Sequence, residues 1–191
     1  MKKNNTLALV EAALMIAMST VLGMLKIYEL PNGGSITCAS MVPLVLLSYR
    51  RGIKWGLAAA FTESLLQMLL KFNVPPTNDF LSFLAVIMLD YVIAYTVLGA
   101  AALFGKPFKN RVVSVAVGAV AVTVLRFLCS FLSGVLIWWP YTPEGMSVAF
   151  YSFTYNGSYM LPEIIITAVV SVLLVKVLDR VLPTEPAKAR S

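Results

Sequence analysis

Residues Val112–Trp138 read VVSVAVGAVAVTVLRFLCSFLSGVLIW, and this stretch decides the class of fold. It exceeds the about 20 apolar residues that a helix needs to cross a bilayer. Its one charge, Arg126, lies near the middle. A charge at that depth costs about 2.5–3.5 kcal/mol on insertion scales, so by default it faces protein or a water-filled cavity. Around Arg126 the residues Arg126, Ser130, Gly134 and Trp138 recur every four positions and form one stripe on one helix face. The stripe passes from charged to small to aromatic toward the span's end. Small residues such as Ser130 and Gly134 also suit close helix packing, and a Trp at a span end also serves as an interfacial anchor. Trp139 remains open between those uses; Trp138, on the polar stripe, is expected to face a ligand.

The rest of the chain agrees with a membrane protein. Of 191 residues, 59% are hydrophobic and 13% charged, with mean hydropathy +0.84. Soluble domains carry about 25% charged residues, and a soluble chain this short cannot hide so much apolar surface in one core. A soluble enzyme and a nucleic-acid binder are therefore poor readings. The formal charge of +6 reads as loop charge on one membrane face. There are no histidines, so imidazole metal sites and His-based general bases are excluded. Cys38 and Cys129 stand far apart and imply neither zinc nor a disulfide framework. No cofactor or metal is expected.

Five further stretches qualify as spans, at roughly 6–26, 36–50, 53–71, 80–104 and 157–179, giving six in all. The second is short and follows Pro31-Asn32-Gly33-Gly34, so irregular backbone is expected at its start. No strand alternation, long linker or second domain is visible. The expected organisation is one transmembrane domain over residues 1–182 and a short polar tail over 183–191. The first apolar run, behind Lys2 and Lys3, resembles a signal peptide, but Glu11 interrupts it and no clear cleavage site follows; it reads as a retained helix. Lys2, Lys3, Arg50, Arg51, Lys54, Lys106, Lys109, Arg111, Lys176, Arg180, Lys188 and Arg190 fall on one side. The other side holds Lys26 and Lys71 near span ends, with Glu29, Asp79 and Glu144. This bias puts both termini in the cytoplasm.

Glu63, Asp90 and Glu163 join Arg126 as charges inside spans. They read either as structural ion pairs locking helices or as the lining of a polar pocket. The neighbours favour a pocket. Tyr91 and Tyr95 lie beside Asp90, and Asn156, Tyr159 and Glu163 follow an i, i+3, i+7 pattern, preceded by Tyr151 and Tyr155. Acids, rings and an amide together describe a site for a small, flat, cationic or polar molecule. Belt tyrosines remain the alternative for Tyr28, Tyr141 and Tyr151. GxxxxGK[ST], HExxH and GxSxG are absent, so the chain does not hydrolyse ATP itself and no enzyme reading has its catalytic residues.

Several runs together resemble the thiamine-specific S-components of energy-coupling factor transporters. They are LPNGGSI (Leu30–Ile36) with Pro43 and Arg50-Arg51-Gly52, then Leu89-Asp90-Tyr91, SGVLIW (Ser133–Trp138), YTPEGM (Tyr141–Met146) and YNGSYMLPE (Tyr155–Glu163). The resemblance runs from about Glu11 to Leu178. It implies a six-helix subunit in the cell membrane that captures thiamine from outside and works with a transmembrane coupling subunit and two ATPases encoded elsewhere. By motif, the ligand would be held by Asp90 and Tyr91, by Gly134 and Trp138, and by Tyr151 and Asn156, with Arg126 as the basic residue of the fifth helix. Asp90 stands where the family often has Glu. Ser130 stands where the family commonly has His, and Gly34 where it sometimes has Trp. Both departures remove ligand contacts and keep a related ligand open, such as another small vitamin or a pyrimidine precursor. The family docks on its coupling subunit through a small-residue face of the first helix, here Ala13 and Ala17. An ion-coupled carrier working alone is the alternative from another class; it would usually be longer and built of repeats, and none is visible.

Overall fold

The computed structural model describes residues 2–31, 33–77 and 79–181, with side chains from 5 to 177 in those stretches. Asn32, Asn78 and the expected tail over 183–191 lie outside the described residues. The chain is mostly helical. Helix α1 spans Lys2–Met24, α2 Val42–Arg51, α3 Ile53–Leu70, α4 Phe80–Gly105, α5 Arg111–Leu136 and α6 Val148–Val181. A 3-10 turn, Trp139–Tyr141, follows α5.

Four of the expected spans are helices long and apolar enough to cross a membrane: Asn5–Met24, Phe80–Gly105, Arg111–Leu136 and Val148–Val177. The stretch expected at 36–50 is shorter as a helix. Ser35–Thr37 is strand, and α2 begins with Pro43 in its first turn, where the missing N–H costs nothing. Its 10 residues reach about 15 Å at about 1.5 Å per residue, half the about 30 Å of a hydrocarbon core. Every residue from Val42 to Ser48 is buried. Leu44, Val45 and Leu47 of α2 form the core with Ala59, Ala60, Leu98, Ala119, Val122 and Met160. A short apolar helix is thus wrapped by the longer ones. Gly56 of α3 and Gly99 of α4 cross so closely that a Cβ on either would enter the other's backbone.

A two-stranded antiparallel hairpin, unforeseen in the sequence, joins α1 to α2. Strand β1, Lys26–Glu29, pairs with β2, Ser35–Thr37, with Tyr28 opposite Ile36 and Glu29 opposite Ser35. Strands of 4 and 3 residues are too short to show alternation. Leu30 N donates to Gly34 O at 2.7 Å, and Gly33 turns the chain at φ 100°.

Helix α6 shows how the bundle is sorted. Leu161, Ile165, Val169 and Leu173 form an exposed apolar row. Glu163, Thr167 and Ser171, two positions on, form a buried polar row on the opposite face. Such a helix is apolar outside and polar inside, as lipid requires.

Candidate functional site

A cavity of about 460 Å³ opens at the hairpin end of the bundle. Its size falls in the range of small-molecule sites. All eight residues expected to bind substrate line it: Asp90, Tyr91, Arg126, Ser130, Gly134, Trp138, Tyr151 and Asn156. They come from α4, from α5 and its end, and from α6.

On α4 the winding widens to a π-helix over Ile87–Val92, which contains Asp90 and Tyr91. Such single wide turns inside α-helices are frequent at functional sites. Trp138 Nε1 donates to Asp90 Oδ2 at 3.0 Å and lies 3.1 Å from Ser133 Oγ. The indole is fixed further by stacking on Tyr141, with centroids 5.9 Å apart. It lies just past α5, whose end is closed by Ser133 O accepting from both Ile137 N and Trp138 N. Carboxylate and ring thus meet as one unit across two helices.

The Tyr91 hydroxyl is already spent. It donates to Lys71 O at 2.6 Å and accepts from Asn73 N at 2.9 Å, while its ring stacks on Phe72. Tyr91 therefore offers the cavity a ring and ties down the chain after α3. Asn156 is likewise engaged within α6: Nδ2 donates to Ser152 O at 2.9 Å, and Oδ1 accepts from Tyr159 OH at 2.7 Å. The Tyr159 hydroxyl also lies beside Ser130. Gly134 lets α5 and α6 meet here; an added Cβ would run into Ser152 and stand 3.1 Å from Asn156 Nδ2.

Arg126 lies over the Tyr95 ring, 4.0 Å from its centroid. Among the described residues it forms no ion pair with Glu63, Asp90 or Glu163, so those charges are not helix-locking pairs. The ion pairs lie at the two ends instead. Glu11 holds Arg50 and Arg51 (2.6 Å to the latter) between α1 and the α2–α3 corner. Glu29 bridges Lys26 at 2.6 Å and Lys71 at 2.8 Å at the cavity mouth. Those two lysines hold the exposed Glu29 carboxyl down to about 2.

Glu163 does not line the cavity. It accepts from Thr37 N and from Thr37 Oγ1 (2.7 Å), anchoring the hairpin to α6. Of the α1, hairpin and α3 walls, Glu63 was expected as a possible pocket lining and Gly34 as a position of family contact, while Ser19 and Gln67 were not foreseen. One signal for Gln67 was present: Glu63 and Gln67, four apart in an apolar run, mark one polar helix face. The ring of Tyr159 fills the space over Gly34, where an added Cβ would lie 2.5 Å from it. Ala13 and Ala17 are exposed, whereas Ala12 and Ser19 of the same helix are buried.

Membrane-crossing helices around an aromatic and acidic cavity define a multi-pass membrane protein built to hold a small molecule. The family model of the thiamine transporter protein (Thia_YuaJ) matches residues 9–183. The chain belongs to this family, which is one of transporters and not of enzymes. It is 30% identical over 190 residues to the thiamine transporter ThiT of Bacillus subtilis, covering 94% of this chain and 95% of that protein. To ThiT of Lacticaseibacillus paracasei it is 27% identical over 165 residues, covering 79% and 78%. The solved structure of ThiT from Listeria monocytogenes shares the fold, with TM-score 0.72 at 20% identity, covering 94% of this chain and 97% of that one.

Proposed function

We propose that the protein is the thiamine-capture subunit of an ATP-driven importer. Six helices, the short α2 among them, form one membrane domain with both termini in the cytoplasm, and the cavity opens outside. Thiamine enters from that side and is delivered with a separate coupling subunit and two ATPases. The observation that carries this reading is the Asp90–Trp138 unit inside a cavity of a thiamine transporter family member. Thiamine has a flat aminopyrimidine and a permanently cationic thiazolium ring. A desolvated cation needs an anion or an aromatic face nearby. Trp138 supplies the face, Asp90 and Asn156 the polar atoms, and Tyr91 and Tyr151 the rings beside them. Ala13 and Ala17, exposed on α1, form the docking face for the coupling subunit.

Titration calorimetry of the purified chain with thiamine tests the assignment. Saturable binding is expected; binding of another vitamin in its place would remove thiamine and keep the class. Uptake into vesicles lacking the ATPases should be absent; uptake there would make the chain a carrier.

A second reading, a related vitamin or pyrimidine precursor, draws on Ser130 and Gly34. Tyr159 occupies the space at both positions, its hydroxyl beside Ser130 and its ring over Gly34. The cavity wall there differs from one built of His and Trp, so the calorimetric panel includes such precursors.

A further inference from the structure

Glu63 of α3 has no exposed surface, yet it belongs to the cavity wall. Its Oε2 accepts from Thr20 Oγ1 of α1 and its Oε1 from Gln67 Nε2, both at 2.8 Å. Both donors are neutral. No lysine or arginine pairs with it among the described residues. A buried carboxylate without a cationic partner is costly to keep. Helix packing alone has no need of it, since an apolar or amide side chain of like size fills the same space.

The neighbouring charges sharpen the point. Glu63, Asp90 and Glu163 are all within electrostatic reach of one guanidinium, that of Arg126, and Arg126 lies on the Tyr95 ring instead of on any of them. Among the described residues the interior thus has three acidic side chains for one basic one. A cation entering the cavity favours the ionised form of such an acid and is attracted by it in turn, without contact. Donors on this wall are partly committed as well: Gln67 gives one of its two amide N–H groups to Glu63, and Ser19 gives its hydroxyl proton to Ser40 O at 2.8 Å.

We propose that Glu63 is a specificity-determining residue that makes the α1–α3 wall select a cationic ligand, a role that rests on the thiamine capture proposed above. Asp90 and Trp138 orient the ligand; Glu63 acts on its charge through the wall, without touching it. Thr20 and Gln67 hold the carboxylate in place.

The test compares thiamine with deazathiamine, in which carbon replaces the thiazolium nitrogen and the charge is gone while the shape is kept. Calorimetry on the full chain in detergent should find wild type preferring thiamine by about tenfold or more. In Glu63→Gln the preference should collapse toward equality through loss of thiamine affinity, with deazathiamine binding unchanged. Glu63→Asp, which keeps the charge, should keep the preference. Equal loss of both ligands in Glu63→Gln would assign Glu63 to structure alone and overturn the proposal, as would an unchanged preference. Should Glu63→Gln fail to fold, Glu63→Met, an uncharged side chain of like size, takes its place with the same two outcomes; equal binding of the two ligands by wild type would also overturn the proposal. Failure of wild type to bind thiamine at all would instead take down the capture reading, and this proposal with it.

Discussion

Asp90 occupies a π-wound turn of α4 and receives the indole N–H of Trp138 at 3.0 Å. In a desolvated site a carboxylate is worth most when it meets both a fixed donor and a ligand. Replacing Asp90 by Asn keeps the shape and removes the charge. A hydrogen bond to a charged group contributes about 1.5–3 kcal/mol. Asp90→Asn should therefore weaken thiamine binding roughly ten- to a hundredfold, more than Tyr141→Phe at the rim; calorimetry on the two variants checks the order. Glu29, at the mouth, behaves differently because it is exposed and bridges Lys26 and Lys71. Its carboxyl is held down to about 2, chiefly by the hydrogen bond from Lys26. A depressed carboxylate contributes stability that is complete above the unfolded value of about 4.3 and is lost as pH falls through about 2. The bridge should thus stay intact throughout neutral and mildly acidic pH. Carbon NMR of the Glu29 carboxyl should show no titration above pH of about 3; a midpoint near the ordinary value of about 4.3 would mean that the bridge does not form.

Among the elements, α6 combines the most roles. Tyr151, Asn156 and Tyr159 line the cavity, Glu163 holds the hairpin, and below it Thr167 and Ser171 are fully buried. Thr167 Oγ1 and Ser171 Oγ have no hydrogen-bond partner among the described residues. An unmet buried hydroxyl costs about 1–3 kcal/mol, and replacing it by an apolar group of the same shape removes that cost. Thr167→Val with Ser171→Ala should accordingly leave thiamine affinity unchanged and raise Tm in detergent. A lowered Tm would show that ordered water satisfies these hydroxyls. Pro162, inside α6, removes the N–H that would otherwise bond to the Ser158 carbonyl, next to the residues that face the cavity.

At the scale of the molecule, α1 connects two surfaces. Ser19 and Gly23 line the cavity, while Ala13 and Ala17 look outward. Glu11, paired with Arg50 and Arg51, sets the helix's rotation about its axis. Ala13→Leu with Ala17→Leu should leave thiamine binding intact and abolish co-purification with the coupling subunit and uptake by the assembled importer. Unimpaired uptake would place docking elsewhere. The proposed orientation predicts that single cysteines at Gly33 and Glu144 react with an impermeant reagent added outside, and that cysteines at Lys54 and Lys109 do not. Labelling of Lys54 from outside would invert the topology.

The sequence alone was enough for the class and for part of the cavity lining. Membrane insertion depends on composition and run length, which are local, so the four long apolar helices were legible. The stripe Arg126–Ser130–Gly134–Trp138 was legible because helical spacing alone puts those residues on one face. Tertiary structure decided the rest. The hairpin forms because α1 ends and α2 starts late, leaving backbone whose donors and acceptors find partners in each other and in α6, where Glu163 accepts from Thr37 N. The shortness of α2 is tolerable only inside a shell of longer helices, a property of its neighbours and not of its residues. Glu63 and Glu163 look alike in the sequence, as single acids in apolar runs. Packing sends one to the cavity wall and the other to Thr37, because side-chain partners from distant segments, not spacing along a helix, decide what a buried charge does.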